Sequence, residues 1–412
     1  LFRMSKNIFN ITLFFVLVVT LCSCSKKPDT IFTNGKIYTM DNNNTLVEAV
    51  AVKDGKIIET GNTKTITEKY SGANNVDLKG AVVIPGLIDA NGSLIEFSEN
   101  LNYVNLYYVR NLNDLKIALS ERVKTLKAGE ILGGIGLIEG FLSEQEQDRL
   151  NKYFLDSISS NNGIYLVNFD ASLAFVNSKL MSTLAIDDKT QVKGEGEIVK
   201  NDKGELMGIF VDDATDIVKE KLPEISHEER VTQVGKGVKE LLKYGITEVH
   251  DRSIGEGGLE VFKELIDKGN FPIRMYGILT GDDKLFEDYL KKGIEVNYKD
   301  KLTVRSVCLD YDGGFDIQDA AMKDDYKEDP KRKIPYSDEF VIEKIFKQAI
   351  EKNFQFSVKT VGDRAFNSSL NAIEKILKDK NPKDHRTILS SVEFTDPADV
   401  NRLKELKIIP SV

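Results

Sequence analysis

Val83-Ile84-Pro85-Gly86-Leu87-Ile88-Asp89-Ala90-Asn91-Gly92-Ser93 decides how this chain is read. A β-branched pair runs into Pro-Gly, which breaks the strand. A second short apolar strand follows and ends in polar residues. Side chains alternate along a strand, so Asp89, Asn91 and Ser93 share one face. A strand that ends in polar groups on one face, early in a long chain, is what an α/β fold uses to bring chemistry to the ends of its strands.

The rest of the chain is long enough for such a fold. It has 412 residues, 41% hydrophobic and 29% charged, enough for a barrel and a smaller domain. The net charge of −9 comes from interspersed signs without a basic stripe. Nucleic acid is therefore excluded as a partner, and the acidic balance reads as solvated surface. There is no P-loop, dinucleotide fingerprint or nucleophile elbow. Gly133-Gly134-Ile135-Gly136 is a lone glycine cluster without the spacing of either phosphate motif.

The first residues read as a targeting signal. Arg3 and Lys6 precede an apolar run from Ile8 to Val19, too short for a comfortable membrane span. Leu21-Cys22-Ser23-Cys24 then resembles a bacterial lipobox, which implies a signal peptide over 1–23, a lipidated Cys24 and a tether over 24–29. The expected location is the bacterial cell envelope, on the outer membrane if the cell has one. With Cys22 removed and Cys24 acylated, Cys308 is the one free thiol and no intrachain disulfide is available.

Residues 30–83 read as β. Asn34-Gly35 and Lys53-Asp54-Gly55 are hairpin signals between apolar pairs. Residues 94–223 read as an irregular, insertion-like region, with helices at Leu112–Leu126 and Glu144–Leu155 and strands around Gly163–Val167 and Leu206–Val211. Glu139 to Asp148 reads as an exposed helix face. From Ser226 onward strands and helices alternate regularly, which argues for βα units and a parallel sheet. Ser226 with Glu229 is a capping box. Strands are expected at Ile246–His250, Phe271–Leu279, Leu302–Leu309, Phe354–Val358, Ile388–Val392 and Ile408–Pro410.

Several of these strand ends resemble, in order, the third amidohydrolase family, zinc-dependent hydrolases of amide-type C–N bonds. Gly86-Leu87-Ile88-Asp89-Ala90 matches its opening. Val304 to Gly313 resembles its strand ending in Asp-Gly, and Val361-Gly362-Asp363-Arg364-Ala365 its Gly-Asp-Arg-Ala segment. Ser391-Val392-Glu393-Phe394 resembles Arg-Ile-Glu-His, and Asn168-Phe169-Asp170-Ala171-Ser172 a substrate-facing Asp-Gly-His. The resemblance implies an α/β metal-dependent-hydrolase TIM barrel over 84–412, strands 1 to about 6, with the large insertion 94–223 after the first strand and a small partial β-sandwich over 30–83. It places the last strands, the rest of the sandwich and the final catalytic Asp beyond Val412, so the barrel is expected to be incomplete at the C-terminus.

The same resemblance puts metal ligands at Asn91, Ser93, Cys308, Lys359 and Phe394, and a substrate-facing His at Ser172. All are substituted, and only His227, His250 and His385 exist to replace them. Zinc takes imidazole, thiolate or carboxylate. The expectation is a protein without a cofactor, zinc being the alternative. It would be catalytically inactive and serve ligand binding or an envelope role. The rival is an active C–N hydrolase with a rearranged site. The expected pocket comprises Asp89, Asp170, Ser172, His250, Asp251, Asp312, Lys359, Asp363, Arg364 and Glu393, and would suit a small polar ligand. Within it, Lys359 would replace the lost metal charge among Asp89, Asp312 and Glu393. His250-Asp251 would end a strand, Asp363 and Arg364 would pair at a helix start, and His227 and His385 would be solvated. Oligomeric state is not legible.

Overall fold

The computed structural model describes residues 27–194, 196–315, 317–327, 339–380, 382 and 384–412. The segment expected as a signal peptide, with Cys24, lies outside these residues. The chain divides between Leu87 and Ile88 into two units.

The first unit holds two small sheets. One has the order Lys56–Gly61, Ala49–Lys53, Thr30–Thr33, Asn74–Asp77; the other, Leu46–Val47, Lys36–Tyr38, Val82–Val83. Lys53-Asp54-Gly55 does close a hairpin, with Asp54 and Gly55 both at positive φ as a tight two-residue turn requires. Asn34-Gly35 does not. Asn34 also has positive φ (57°), but the strands on either side of it belong to different sheets. The same dipeptide signal marks a crossing between sheets here. A small core of Ile31, Ala49, Ala51 and Ile66 holds the four-stranded sheet.

In the second unit seven strands lie side by side: β1 (Leu87–Gly92), β2 (Ile246–Ile254), β3 (Arg274–Thr280), β4 (Leu302–Asp310), β5 (Gln355–Lys359), β6 (Ile388–Ser390) and β7 (Ile409–Pro410). From β2 to β7 every neighbouring pair is parallel. The sheet curls into a half-barrel. The two-residue β7 falls where a strand was expected over Ile408–Pro410.

Helices α1 (Leu94–Asn100), α2 (His227–Lys243), α3 (Glu256–Asp267), α4 (Lys284–Lys292), α5 (Glu339–Glu351), α6 (Asp363–Lys380) and α7 (Pro397–Leu406) occupy the connections. Their apolar stripes meet one face of the sheet. Val234 and Val238 of α2, Phe262 of α3, Phe346 of α5 and Phe366 of α6 form one core with Val249, Met275, Leu279, Val307, Phe356 and Val358. In β3 Met275, Gly277 and Leu279 are buried, while Tyr276, Ile278 and Thr280 alternate onto the opposite, concave face. That face carries the candidate site.

The region 94–223 is more regular than its sequence pattern suggests. It contains a six-stranded mixed sheet of order Gly196–Lys200, Leu206–Asp212, Leu173–Val176, Ile164–Asn168, Leu132–Leu137, Val104–Asn105. Two apolar cores, around Leu115, Leu119 and Leu166 and around Phe210, Val176 and Leu180, hold its two faces. Asn201 to Gly204 forms the turn between two antiparallel strands. The stretch expected as one helix from Glu144 to Leu155 is two, because Asn151 caps a second start by accepting from the Tyr153 and Phe154 amides.

Candidate functional site

Parallel register carries one row of concave-face residues across the sheet. Ser306 aligns with Ile278 and Gln355, Cys308 with Thr280 and Ser357, and Asp310 with Lys359, which in turn aligns with Ser390. The last row sits at the C-terminal ends of the strands, where barrel folds place their chemistry. Arg252 donates from Nη2 to Asp310 Oδ1 across this end. The rim thus holds an arginine–carboxylate pair and the Lys359 ammonium, with the Ser390 hydroxyl buried beneath.

The five positions that the family resemblance marks as former ligands sit as follows. Asn91 is exposed, and its amide donates to Asp89 Oδ1 at 3.2 Å. Ser93 occupies the N-cap of α1 in an extended conformation, yet its side chain makes no capping bond. Asp251 caps that helix instead, accepting the Leu94 amide at Oδ2, 2.7 Å. Cys308 is buried on the concave face. Lys359 is half-buried, and no described carboxylate lies within 4.0 Å of its ammonium. Phe394 packs its ring 4.5 Å from Phe315, which in turn meets Tyr326. Among the described residues the Lys359 charge acts on Asp312 without a direct ion pair. Asp312 is turned away into backbone bonds, Glu393 is exposed and Asp89 is engaged by Asn91.

Asp251 is the buried group of this region, 2% exposed. Burial pushes its carboxyl up to about 7; the Asp89 and Glu96 charges add to the rise, while the Leu94 and Ile95 amides oppose it. The expectation that His250-Asp251 ends a strand is also corrected. β2 continues to Ile254, so His250 lies mid-strand. Its ring packs on Tyr276 at 4.9 Å and its Nε2 sits 3.4 Å from Glu248 Oε1.

Val361-Gly362-Asp363-Arg364-Ala365 is a backbone clamp. Asp312 accepts the Val361, Gly362 and Ala321 amides, each at 2.8 Å. Burial pushes its carboxyl up, and those three amides and the Lys359 charge oppose the rise. A Cβ on Gly362 would lie 2.1 Å from the Ala321 carbonyl oxygen, so only glycine admits this approach. Asp363 and Arg364 do not pair with each other. Asp363 accepts the Lys323 amide at 2.8 Å, and Arg364 Nη2 donates to the Lys323 carbonyl at 3.2 Å. The motif holds the segment after β4 against the start of α6.

The remaining candidates are dispersed. Asp170 and Ser172 bond to each other in the second sheet, and no hydrogen bond or ion pair among the described residues joins them to the barrel rim. His227 pairs with Glu264 at the surface, 2.7 Å. His385, expected to be solvated, is buried: Nε2 donates to the Leu406 carbonyl at 2.9 Å and Nδ1 faces Thr387 Oγ1 at 2.7 Å. A cavity of about 230 Å³ opens beside the first two strand ends, lined by Ser93, Glu96, Glu99, Arg230, Asp251 and Arg252 among others. Sequence reading missed Glu96, Glu99, Arg230 and Arg252. The i, i+3 spacing of Glu96 and Glu99 was the one local signal for part of it.

A resident zinc does not fit these residues. Among the described residues no three His, Cys, Asp or Glu side chains converge to hold a metal. Of the five positions the Cys308 thiol is the one good zinc donor; the amide, hydroxyl, ammonium and phenyl ring of the other four offer weak donors or none.

The profile of the amidohydrolase family matches residues 75–412, and the chain belongs to that family. It is 26% identical over 361 residues to a putative amidohydrolase of Bacillus subtilis, YtcJ, covering 84% of this chain and 66% of that one. It is 22% identical over 261 residues to the N-substituted formamide deformylase of Arthrobacter pascens, covering 62% of this chain and 48% of the enzyme. The chain thus spans just under two thirds of the first relative and about half of the second. Among solved structures, a metal-dependent hydrolase from Pyrococcus horikoshii superposes with a TM-score of 0.73 at 22% identity, over 93% of this chain and 74% of the other. That likeness establishes the α/β metal-dependent-hydrolase fold.

Proposed function

We propose that this member of the amidohydrolase family no longer carries out metal-assisted hydrolysis and instead binds a small polar ligand at the rim of its half-barrel. The observation that carries the reading is the donor set: Asn91, Ser93, Cys308, Lys359 and Phe394 occupy the positions where the family resemblance puts ligands. Loss of single groups that merely orient metal ligands costs about 10–100-fold in affinity or activity, so loss of the ligands themselves is decisive. The Arg252–Asp310 pair and the Lys359 ammonium supply hydrogen bonds to a polar ligand without a hydroxide nucleophile.

We further propose that Cys24 tethers the chain to a bacterial membrane by its lipid, on the strength of Leu21-Cys22-Ser23-Cys24. Among the described residues no helix is long and apolar enough to cross a membrane. Cys24→Ala then releases the protein from membrane pellets; an unchanged pellet fraction sinks the tether.

A second reading is favoured by one comparison. Likeness to an N-substituted formamide deformylase supports an active C–N hydrolase with a rearranged site. Elemental analysis of purified, tag-free, full-length protein after dialysis against a weak chelator separates the two, run beside hydrolysis of N-substituted formamides. The binding reading expects less than stoichiometric metal and no turnover. One zinc per chain with turnover establishes the hydrolase.

A further inference from the structure

Val234 and Val238 turn one face of α2 into the core between helices and sheet. Another face of the same helix opens, with Asn102, onto a cavity of about 400 Å³ lined by Ser226, Glu229, Gln233 and Lys236 among others. Residues three and four apart are neighbours on a helix surface, so Glu229, Gln233 and Lys236 stand in one row. Ser226 caps the helix, its Oγ accepting the Glu229 amide at 3.2 Å. Asn102 Nδ2 donates to the Ser98 and Glu99 carbonyls at the end of α1, at 3.4 and 3.3 Å, which commits its donor and not its acceptor.

Gln233 is the anomaly in this row. It is 7% exposed, yet its Oε1 is buried without a hydrogen-bond partner, and its Nε2 makes no hydrogen bond to another described residue. A buried amide whose bonds are unmade costs stability, and an orphan of this kind in a folded chain calls for a partner. The groups beside it are charged and exposed. Among the described residues neither the Glu229 carboxylate nor the Lys236 ammonium enters an ion pair. Opposite charges thus flank the amide at about one helical turn, roughly 5 Å, on each side.

We propose that this cavity binds a small zwitterion on the Gln233 amide, with its carboxylate towards Lys236 and its ammonium towards Glu229. A carboxamide holds a donor and an acceptor side by side, and a zwitterion presents the same pair reversed. The end torsion of glutamine is soft, so the amide can turn either atom to the ligand. A simple anion would gain Lys236 and the positive end of the helix but would face Glu228 and Glu229. A simple cation would meet the reverse. A water molecule could complete one bond of the amide, but it would be indifferent to the charges on either side. The cavity lies in the helix layer and uses no residue of the concave face, so it stands or falls apart from the rim.

The test titrates the full chain at low salt with β-alanine, propionate and ethylamine, followed by calorimetry. Propionate lacks the ammonium of β-alanine, and ethylamine lacks its carboxylate. β-Alanine is expected to saturate, and each of the other two to bind about threefold more weakly or worse. Glu229→Gln and Lys236→Met are each expected to weaken β-alanine by about threefold, and Gln233→Leu by about fivefold or more. Thermal melts check that the variants fold; Glu229 and Lys236 are exposed, so their variants serve if Gln233→Leu unfolds. No saturable β-alanine binding, propionate or ethylamine binding as tightly as β-alanine, or wild-type affinity in the folded variants would each overturn the proposal.

Discussion

Asp251 caps a helix whose own N-cap residue does not: its Oδ2 accepts the Leu94 amide at 2.7 Å, across 157 positions of sequence, while the Ser93 side chain makes no capping bond. The middle of β2 is thereby tied to the first turn of α1, beside the cavity that both line. A loop residue at the strand end has been relieved of a structural duty by a carboxylate from the neighbouring strand.

Asp251 makes stability depend on pH in a direction opposite to most carboxylates. Its folded value is about 7 against an ordinary 3.8, so the folded state holds a proton that the unfolded state releases. Stability from this group is fully present below about 3.8, falls as pH rises, and levels off above about 7. Asp251→Asn should flatten that slope in chemical denaturation between those limits. Asp251→Ala should also lose the cap, costing about 0.5–2 kcal/mol. A pH slope unchanged in the asparagine variant would refute the assignment.

His385 has the reverse sign. Burial pushes its imidazole below the ordinary 6.5, with the bond to the Leu406 carbonyl and the Asp384 charge only partly offsetting this. The unfolded state therefore binds the proton first. Stability from this group is complete above about 6.5 and falls as pH drops towards the folded value. His385→Gln should reduce acid sensitivity below that point, while costing about 1–3 kcal/mol at neutral pH for the buried groups left unmatched. Hydrogen exchange at the Thr387 amide, which donates to Nδ1 at 3.2 Å, gives a local readout.

Legibility followed range. Gly86-Leu87-Ile88-Asp89 and the βα alternation after Ser226 are local patterns, and strands and helices occur where those patterns place them. Asn34-Gly35 was legible as a turn but not as a crossing between sheets, because a dipeptide states the backbone's bend and not its partner strand. The buried states of Asp251 and His385 depend on Leu94 and Leu406, far off in sequence, and no periodicity announces them. The Gly-Asp-Arg-Ala segment was visible as a motif. Its use as a clamp became visible only with Ala321 and Lys323 in place. The second sheet was hidden because its strands are short and two of its parallel pairs are joined through helices, which blurs the period-two signal.

Gly362→Ala should be among the most damaging small substitutions in this chain. The added carbon meets a backbone oxygen, which cannot rotate away, and overpacking of this kind costs about 1–3 kcal/mol. Asp312→Ala should cost at least as much, since it strands three buried amides. The two should not add, because both act on the contact between the Ala321 segment and the start of α6. Urea midpoints of the two single variants and the double variant test this; full additivity would mean that the clamp is not one unit.

Lys359→Met separates a structural lysine from one held for a ligand. An ammonium locked to a buried carboxylate would leave its partner stranded on removal, at a cost of about 3–5 kcal/mol. Among the described residues Lys359 has no such partner, and its register neighbour Asp310 is engaged by Arg252. Asp312 feels its charge only as a modest pull against burial. The substitution should therefore change stability by no more than about 0.5 kcal/mol, as at an ordinary surface position. Methionine keeps the length and apolar stem, so the concave face stays filled. Binding of a polar ligand at the rim should nevertheless weaken, because the rim loses its one cation not already committed to a carboxylate among the described residues. A large loss of stability in Lys359→Met would show that the lysine is structural and remove it from the proposed binding site.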